Sequence, residues 1–234
     1  MASLTETLRN DKILLASSVH ILLSVITFGI LNYFKEPLGL ADGSTLFVYV
    51  TWAYCYVSCF VFGRMGGWSA DRYGFLINRT LLLVISAIGI LGLWVYFKHP
   101  NLRVYNSWDS SLSEAFARVG EELFFRGYVY FVMLKLFDGK HRPHLWAVGL
   151  SSIAFAAMHT HVFLPGNQQS LTAIFLIGLF LAFLRYWTGS ILLAITIHCF
   201  LNGYLLAVLG GWALYAIIVL WSVGARGFKE NVLG

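Results

Sequence analysis

Two glutamates and an arginine stand within six positions of one another in the stretch GEELFFRGYVYF, residues 120–131, and every other side chain there is apolar, aromatic or absent. Glu122 and Arg126 are four apart with the acid first, the favourable order for an ion pair on a helix. Glu121 points about 100° away from Glu122 on the same helix, so the two acids are not expected to face one partner. It has no obvious local partner, and removal from water makes an unpaired carboxylate a stronger proton acceptor, as a general base requires. The bland alternative is that both glutamates hold helices together. Further along, FAAMHTH ends an apolar run and places Phe155 and His159 on one face, beside Ala156 and Ala157, small residues that permit close helix approach. HCFLN places His198 and Asn202 on one face, two polar groups able to donate to a developing oxyanion or to bond a neighbouring helix. Glu114 and Arg118 open the same run as the glutamates and read as an ordinary i,i+4 surface pair, and His161 reads as interfacial.

The elements that must position these groups are membrane helices. Of 234 residues, 59% are hydrophobic and 12% charged, where a soluble domain carries about a quarter charged. Apolar runs approach the roughly 20 residues needed to cross a bilayer. They predict an all-α polytopic bundle of about eight spans in a single domain over 1–234, at 13–34, 44–63, 80–97, 113–136, 145–163, 171–187, 190–209 and 210–224. The last two are divided at Gly210–Gly211. The backbone must satisfy its own hydrogen bonds in lipid, and these runs are too long for barrel strands, so they read as helices. The first run is too long for a signal-peptide core and reads as a retained anchor.

Charge sets orientation rather than a nucleic-acid role, since the net charge of +5 forms no basic stripe. Eleven cations fall in connections on the N-terminal side: Arg9, Lys12, Arg64, Arg72, Arg79, Lys135, Lys140, Arg142, Arg185, Arg226 and Lys229. Three fall on the other: Lys35, Lys98 and Arg103. The bias predicts cytoplasmic termini in a cell membrane. Cys55, Cys59 and Cys199 lie in apolar runs and read as small buried side chains, without C-x-x-C spacing. Ionisable residues at membrane depth are costly and by default suggest function. Here they gather in the second half of the chain, with His20 the exception in the first three spans.

The ordered set E-E-x-x-x-R (Glu121, Glu122, Arg126), F-x-x-x-H (Phe155, His159) and H-x-x-x-N (His198, Asn202) resembles the CAAX protease and bacteriocin-processing family of intramembrane glutamic endopeptidases. The resemblance covers 113–209, the catalytic core helices, and leaves the first three spans without a signature. It implies a membrane hydrolase that cuts a peptide bond near the C-terminal or leader segment of a membrane-associated or exported protein. Glu121 with His159 would activate water, His198 and Asn202 would stabilise the oxyanion, and Glu122 with Arg126 would hold the site together. The family has also been described as metal-dependent, and no HExxH-type helix is present to settle it; the expectation is no metal and no cofactor, with zinc as the alternative, since a positioned water needs only the base and the oxyanion donors. The partners expected are a membrane-anchored protein or peptide substrate and the bilayer, with no nucleic acid. With the termini inside, Glu121 lies about 12 Å below the outer end of its span, so the site is expected to open outward. Two other classes compete. One is a non-catalytic binding or immunity protein of the same fold. The other is a small transporter, because GWSADRYG resembles the loop after the second helix of major-facilitator proteins.

Overall fold

The computed structural model describes residues 4–34, 45–66, 70–75, 79–99, 108–164, 170–202 and 207–218. The described residues form an all-α membrane bundle without strands. Its helices are α1 (Leu4–Phe34), α2 (Thr45–Gly66), α3 (Arg79–Lys98), α4 (Trp108–Glu122), α5 (Tyr130–Leu136), α6 (Pro143–Ala157), α7 (Leu171–Thr188) and α8 (Leu192–Leu201). A ninth, α9, runs from Ala207 to Ile218. Asp11–Phe34, Thr80–Lys98 and Leu171–Thr188 are each long and apolar enough to cross a membrane. The outward faces are correspondingly greasy, with Leu83, Ile90 and Trp187 among the most exposed apolar side chains. Such faces suit lipid and would be a liability in water.

Helices α4 and α5 are joined by a π-helical stretch, Leu123–Val129, which is buried throughout. The span expected at 113–136 is thus one continuous rod that begins earlier, at Trp108. Its middle turn is widened immediately after the two glutamates. Insertions of this kind occur mostly at functional sites. The rod lies between α2 and α8, and α6 packs along α7. Small residues set these distances. A Cβ on Gly120 would meet Trp52 Cβ and Tyr56 Cε2 at 3.1 Å, and one on Gly178 would meet Phe155 Cδ1 at 3.1 Å.

Two boundaries differ from the sequence expectation. Span five was expected to reach residue 163, but α6 stops at Ala157 and a short 3-10 turn, Thr160–Phe163, follows. The break expected at Gly210–Gly211 is absent, and both glycines are helical within α9. The chain leaves α8 earlier, at Asn202. Close packing explains why those glycines are there. A Cβ on Gly210 would meet Ala115 Cβ at 2.9 Å, and one on Gly211 would meet Ile195 Cγ2 at 3.1 Å. Glycine here marks helix contact, as it commonly does in membranes. The expected end of the last span, 219–224, lies outside the described residues.

The first three helices, which carry no motif, brace the others. Asn32 Nδ2 donates to Met158 O at 2.8 Å, and the Thr160 hydroxyl donates to Gly29 O. A Cβ on Gly29 would meet Ala157 O at 3.1 Å. Helix α1 therefore pins the turn that carries His159. From α2, Tyr56 donates to Phe116 O at 3.0 Å and Cys59 Sγ contacts Leu123 O at 3.7 Å. All three cysteines are free and buried.

Candidate active site

Glu121 and Glu122 form the last turn of α4, and both are buried, at 2% and 0% exposure. Arg126 follows in the π segment, fully buried, with Nη1 3.2 Å from Glu122 Oε1. That contact is electrostatic rather than a bonded fork: Nη1 and Nε of Arg126 and Oε2 of Glu122 have no hydrogen-bond partner among the described residues. Arg126 is held instead by its other amino group, which donates to Gly178 O at 3.1 Å, and by lying 4.3 Å over the Phe155 ring. Gly178 lets α7 approach closely enough to offer its carbonyl.

His198, from α8, joins the two acids. Its Nδ1 lies 2.7 Å from Glu122 Oε1, and its Nε2 lies 3.5 Å from Glu121 Oε2. The sequence expectation that the two glutamates cannot face one partner is therefore corrected. Imidazole presents two nitrogens on opposite edges, and two long acid side chains approach them from different directions. A second correction concerns Arg118. Its Nη1 donates to both oxygens of Glu121 at 2.8 and 2.9 Å, while its Nε donates to Glu114 Oε2 at 3.0 Å. Glu121 has a local partner after all, and Arg118 is not a surface residue, being only 18% exposed. The signal was present as i,i+3 spacing between Arg118 and Glu121, but it was obscured by the equally good pair at Glu114.

His159 caps the 3-10 turn after α6 and is half-buried. Its Nδ1 is 2.7 Å from Phe155 O, and its ring centroid is 4.5 Å from that of Phe155. His198 meets the same Phe155 ring edge-on at 5.9 Å. The two histidines thus flank one phenylalanine. Asn202 is the C-cap of α8 with an exposed side chain, and its backbone N–H donates to His198 O at 3.2 Å. The structure brings Glu121, Glu122, Arg126 and His198 into direct contact. It sets His159 beside them across Phe155 and leaves Asn202 at the rim.

The chemistry of these contacts follows from proton counting. If Glu122 is ionised, its oxygen accepts from Nδ1–H of His198, leaving Nε2 opposite Glu121 Oε2. Two lone pairs cannot face each other favourably, so one proton belongs between them, on the imidazole or on the acid. The charge count agrees. Glu114, Glu121 and Glu122 against Arg118 and Arg126 leave one negative charge, which that proton cancels. A buried cluster is most tolerable when neutral. With Glu122 ionised, the arrangement would be a carboxylate with a transferable proton next to it, which is what acid–base chemistry requires. Among the described residues, no group of three or more His, Cys, Asp or Glu side chains is placed to hold a metal ion.

Residues 108–204 match the family model described as Rce1-like, type II CAAX prenyl endopeptidase. Over that segment the chain is similar to the CAAX protease family. The match begins where α4 begins and ends just past Asn202, so it takes in every helix that contributes to the site. No curated protein and no solved structure matches the chain. The Rce1-like family is one of proteases, and the match supports a membrane peptidase at the level of that family.

Proposed function

We propose that this chain is an intramembrane endopeptidase in which Glu121 activates water to hydrolyse a peptide bond near the end or leader of a membrane-anchored or exported protein. The observation that carries the reading is the buried contact of His198 with both glutamates, 2.7 Å to Glu122 and 3.5 Å to Glu121. Glu121 takes a proton from water as it attacks the carbonyl, and passes that proton to the departing amine as the tetrahedral intermediate collapses and the C–N bond breaks. His198 donates to the oxyanion through Nε2, whose 3.5 Å contact with Glu121 is the looser of its two, together with the Asn202 amide; the Asn202 backbone N–H is already engaged, so its side chain is the available donor. Glu122 and Arg126 fix the helices. His159 assists Glu121 from across Phe155, as the family resemblance implies. The 3.5 Å contact also favours a second assignment, in which His198 rather than His159 exchanges the proton with Glu121. No metal is needed in either scheme, with zinc the alternative. The positive-charge bias supports cytoplasmic termini in a cell membrane and a site reached from the outer half of the bilayer. A non-catalytic protein of this fold would have no use for a proton held between two acids, and a transporter reading draws on the GWSADRYG loop alone.

The test is cleavage of a library of membrane-anchored C-terminal peptides by wild type, Glu121→Gln, His159→Gln and His198→Gln in liposomes, with and without chelator. Loss in Glu121→Gln, indifferent to chelator, is expected. Full activity in Glu121→Gln rejects the base, and activity abolished by chelator and restored by zinc turns these residues into ligands. Greater loss in His198→Gln than in His159→Gln selects the second assignment.

A further inference from the structure

Arg118 belongs to none of the three motifs, yet it makes the closest polar contacts to Glu121. One amino nitrogen donates to both oxygens of that carboxylate, at 2.8 and 2.9 Å, and Nε donates to Glu114 at 3.0 Å. Glu114, Arg118 and Glu121 stand at i, i+4 and i+7 along α4, so they form one stripe leading into the site. Side-chain exposure falls along it, from 25% at Glu114 through 18% at Arg118 to 3% at Glu121.

A base must present a lone pair in a fixed direction, and a glutamate side chain has several rotatable bonds with which to lose it. A carboxylate has about four lone-pair sites. Arg118 occupies one on each oxygen, and His198 faces Oε2. Oxygen Oε1 keeps a lone pair for water. We infer that Arg118 is a positioning residue for hydrolysis: it fixes the rotation of the Glu121 carboxylate so that Oε1 faces the attacking water, and Glu114 in turn fixes Arg118. The inference rests on the reading of Glu121 as the base. Lysine is a poor replacement, because a single ammonium cannot address two carboxylates from the two edges of a planar fork. The guanidinium also offsets the cost of holding the Glu121 charge away from water.

The experiment measures kcat, KM and thermal unfolding of the full chain in liposomes on a membrane-anchored peptide that wild type cleaves. The variants are Arg118→Gln, Arg118→Lys, Glu114→Gln, Glu121→Gln and the double variant of positions 118 and 121 to Gln. Misplacing a catalytic group by about 1 Å can cost about 100-fold. Arg118→Gln is therefore expected to lower kcat by that order with KM nearly unchanged. Arg118→Lys recovers part of the loss, Glu114→Gln loses a few-fold, and the double variant is no worse than Glu121→Gln. If Arg118→Gln keeps wild-type kcat while Glu121→Gln is inactive, the positioning role is overturned and the base stands. If Glu121→Gln is fully active, the base itself is overturned. Equal loss of melting temperature in both Arg118 variants, with no kcat difference between them, makes Arg118 a packing residue and overturns the inference. Should Arg118→Gln fail to assemble, wild-type kcat in both Arg118→Lys and Glu114→Gln overturns it as well.

Discussion

Two histidines in this bundle engage both ring nitrogens, and they do so with opposite consequences. His20 in α1 contacts the Tyr54 hydroxyl at 2.8 Å and the Tyr128 hydroxyl at 3.3 Å. Ser24 and Ser17 O extend the network, and Phe62 lies 4.7 Å away. Every partner is neutral, and phenols can donate or accept as needed, so the cluster is satisfied with an uncharged imidazole. Tyr54 faces outward at 42% exposure. His198 instead meets two carboxylates in a buried pocket, where an uncharged ring leaves one lone pair facing another unless an extra proton is supplied. The first arrangement is a staple between α1, α2 and the π segment. The second, on the function proposed above, would store a proton where a reaction can use it. Residue type is shared; the burial of the ring and the charge of its partners set the two apart.

Changes at the acid pole of His198 should widen the contrast most. Glu121→Gln removes the base and keeps the shape, and general-base catalysis contributes about 10²–10⁴-fold. Cleavage is expected to fall within that range while the melting temperature stays near wild type; activity above a tenth of wild type would falsify the assignment. Arg126→Met comes next. It leaves Glu122 as a buried charge without its cation, a change that typically costs about 3–5 kcal/mol. Thermal or denaturant unfolding in detergent should show the loss, and an unshifted transition would mean that the pair adds little.

His198→Phe should cost cleavage about 100-fold or more, because it removes the partner of both acids while conserving ring volume. A liposome assay returning wild-type rates would place the proton elsewhere. His20→Phe is the matched control with the smallest effect. Interhelical hydrogen bonds in membranes are worth about 0.6 kcal/mol on average, so stability should fall only slightly and cleavage should persist. If His20→Phe abolishes cleavage without unfolding the protein, the two clusters are not as distinct as their partners suggest.

Several of these features were legible in the sequence, and the reason differs by feature. Span positions followed from the length of apolar runs, because a bilayer imposes one thickness on every helix. The pairing of Glu122 with Arg126 could be anticipated because both lie on one helix at fixed spacing. The ends of α6 and α8 could not. Gly210 and Gly211 look like a turn in sequence, but they serve contacts with Ala115 and Ile195, and only the neighbouring helices say so. Arg118 was misread for a related reason. It has acids on both sides at helical spacing, and the sequence does not say whether the helix end near it is wet or enclosed by α2 and α8.

The sequence alone determined that this chain is an all-α membrane protein, that its costly polar groups lie in its second half, and that they fall into three ordered motifs that resemble those of a protease family. The first two rest on composition and on spacing within single helices, and the third on that resemblance; all are local quantities. The tertiary structure decided that His198 bridges both glutamates, that Arg118 clasps Glu121, that His159 stands across Phe155 from His198, and that α1 braces the turn beside it. Each depends on how separate helices pack. In a bundle that distance is set by small residues such as Gly120 and Gly178, whose partners lie far away in the chain.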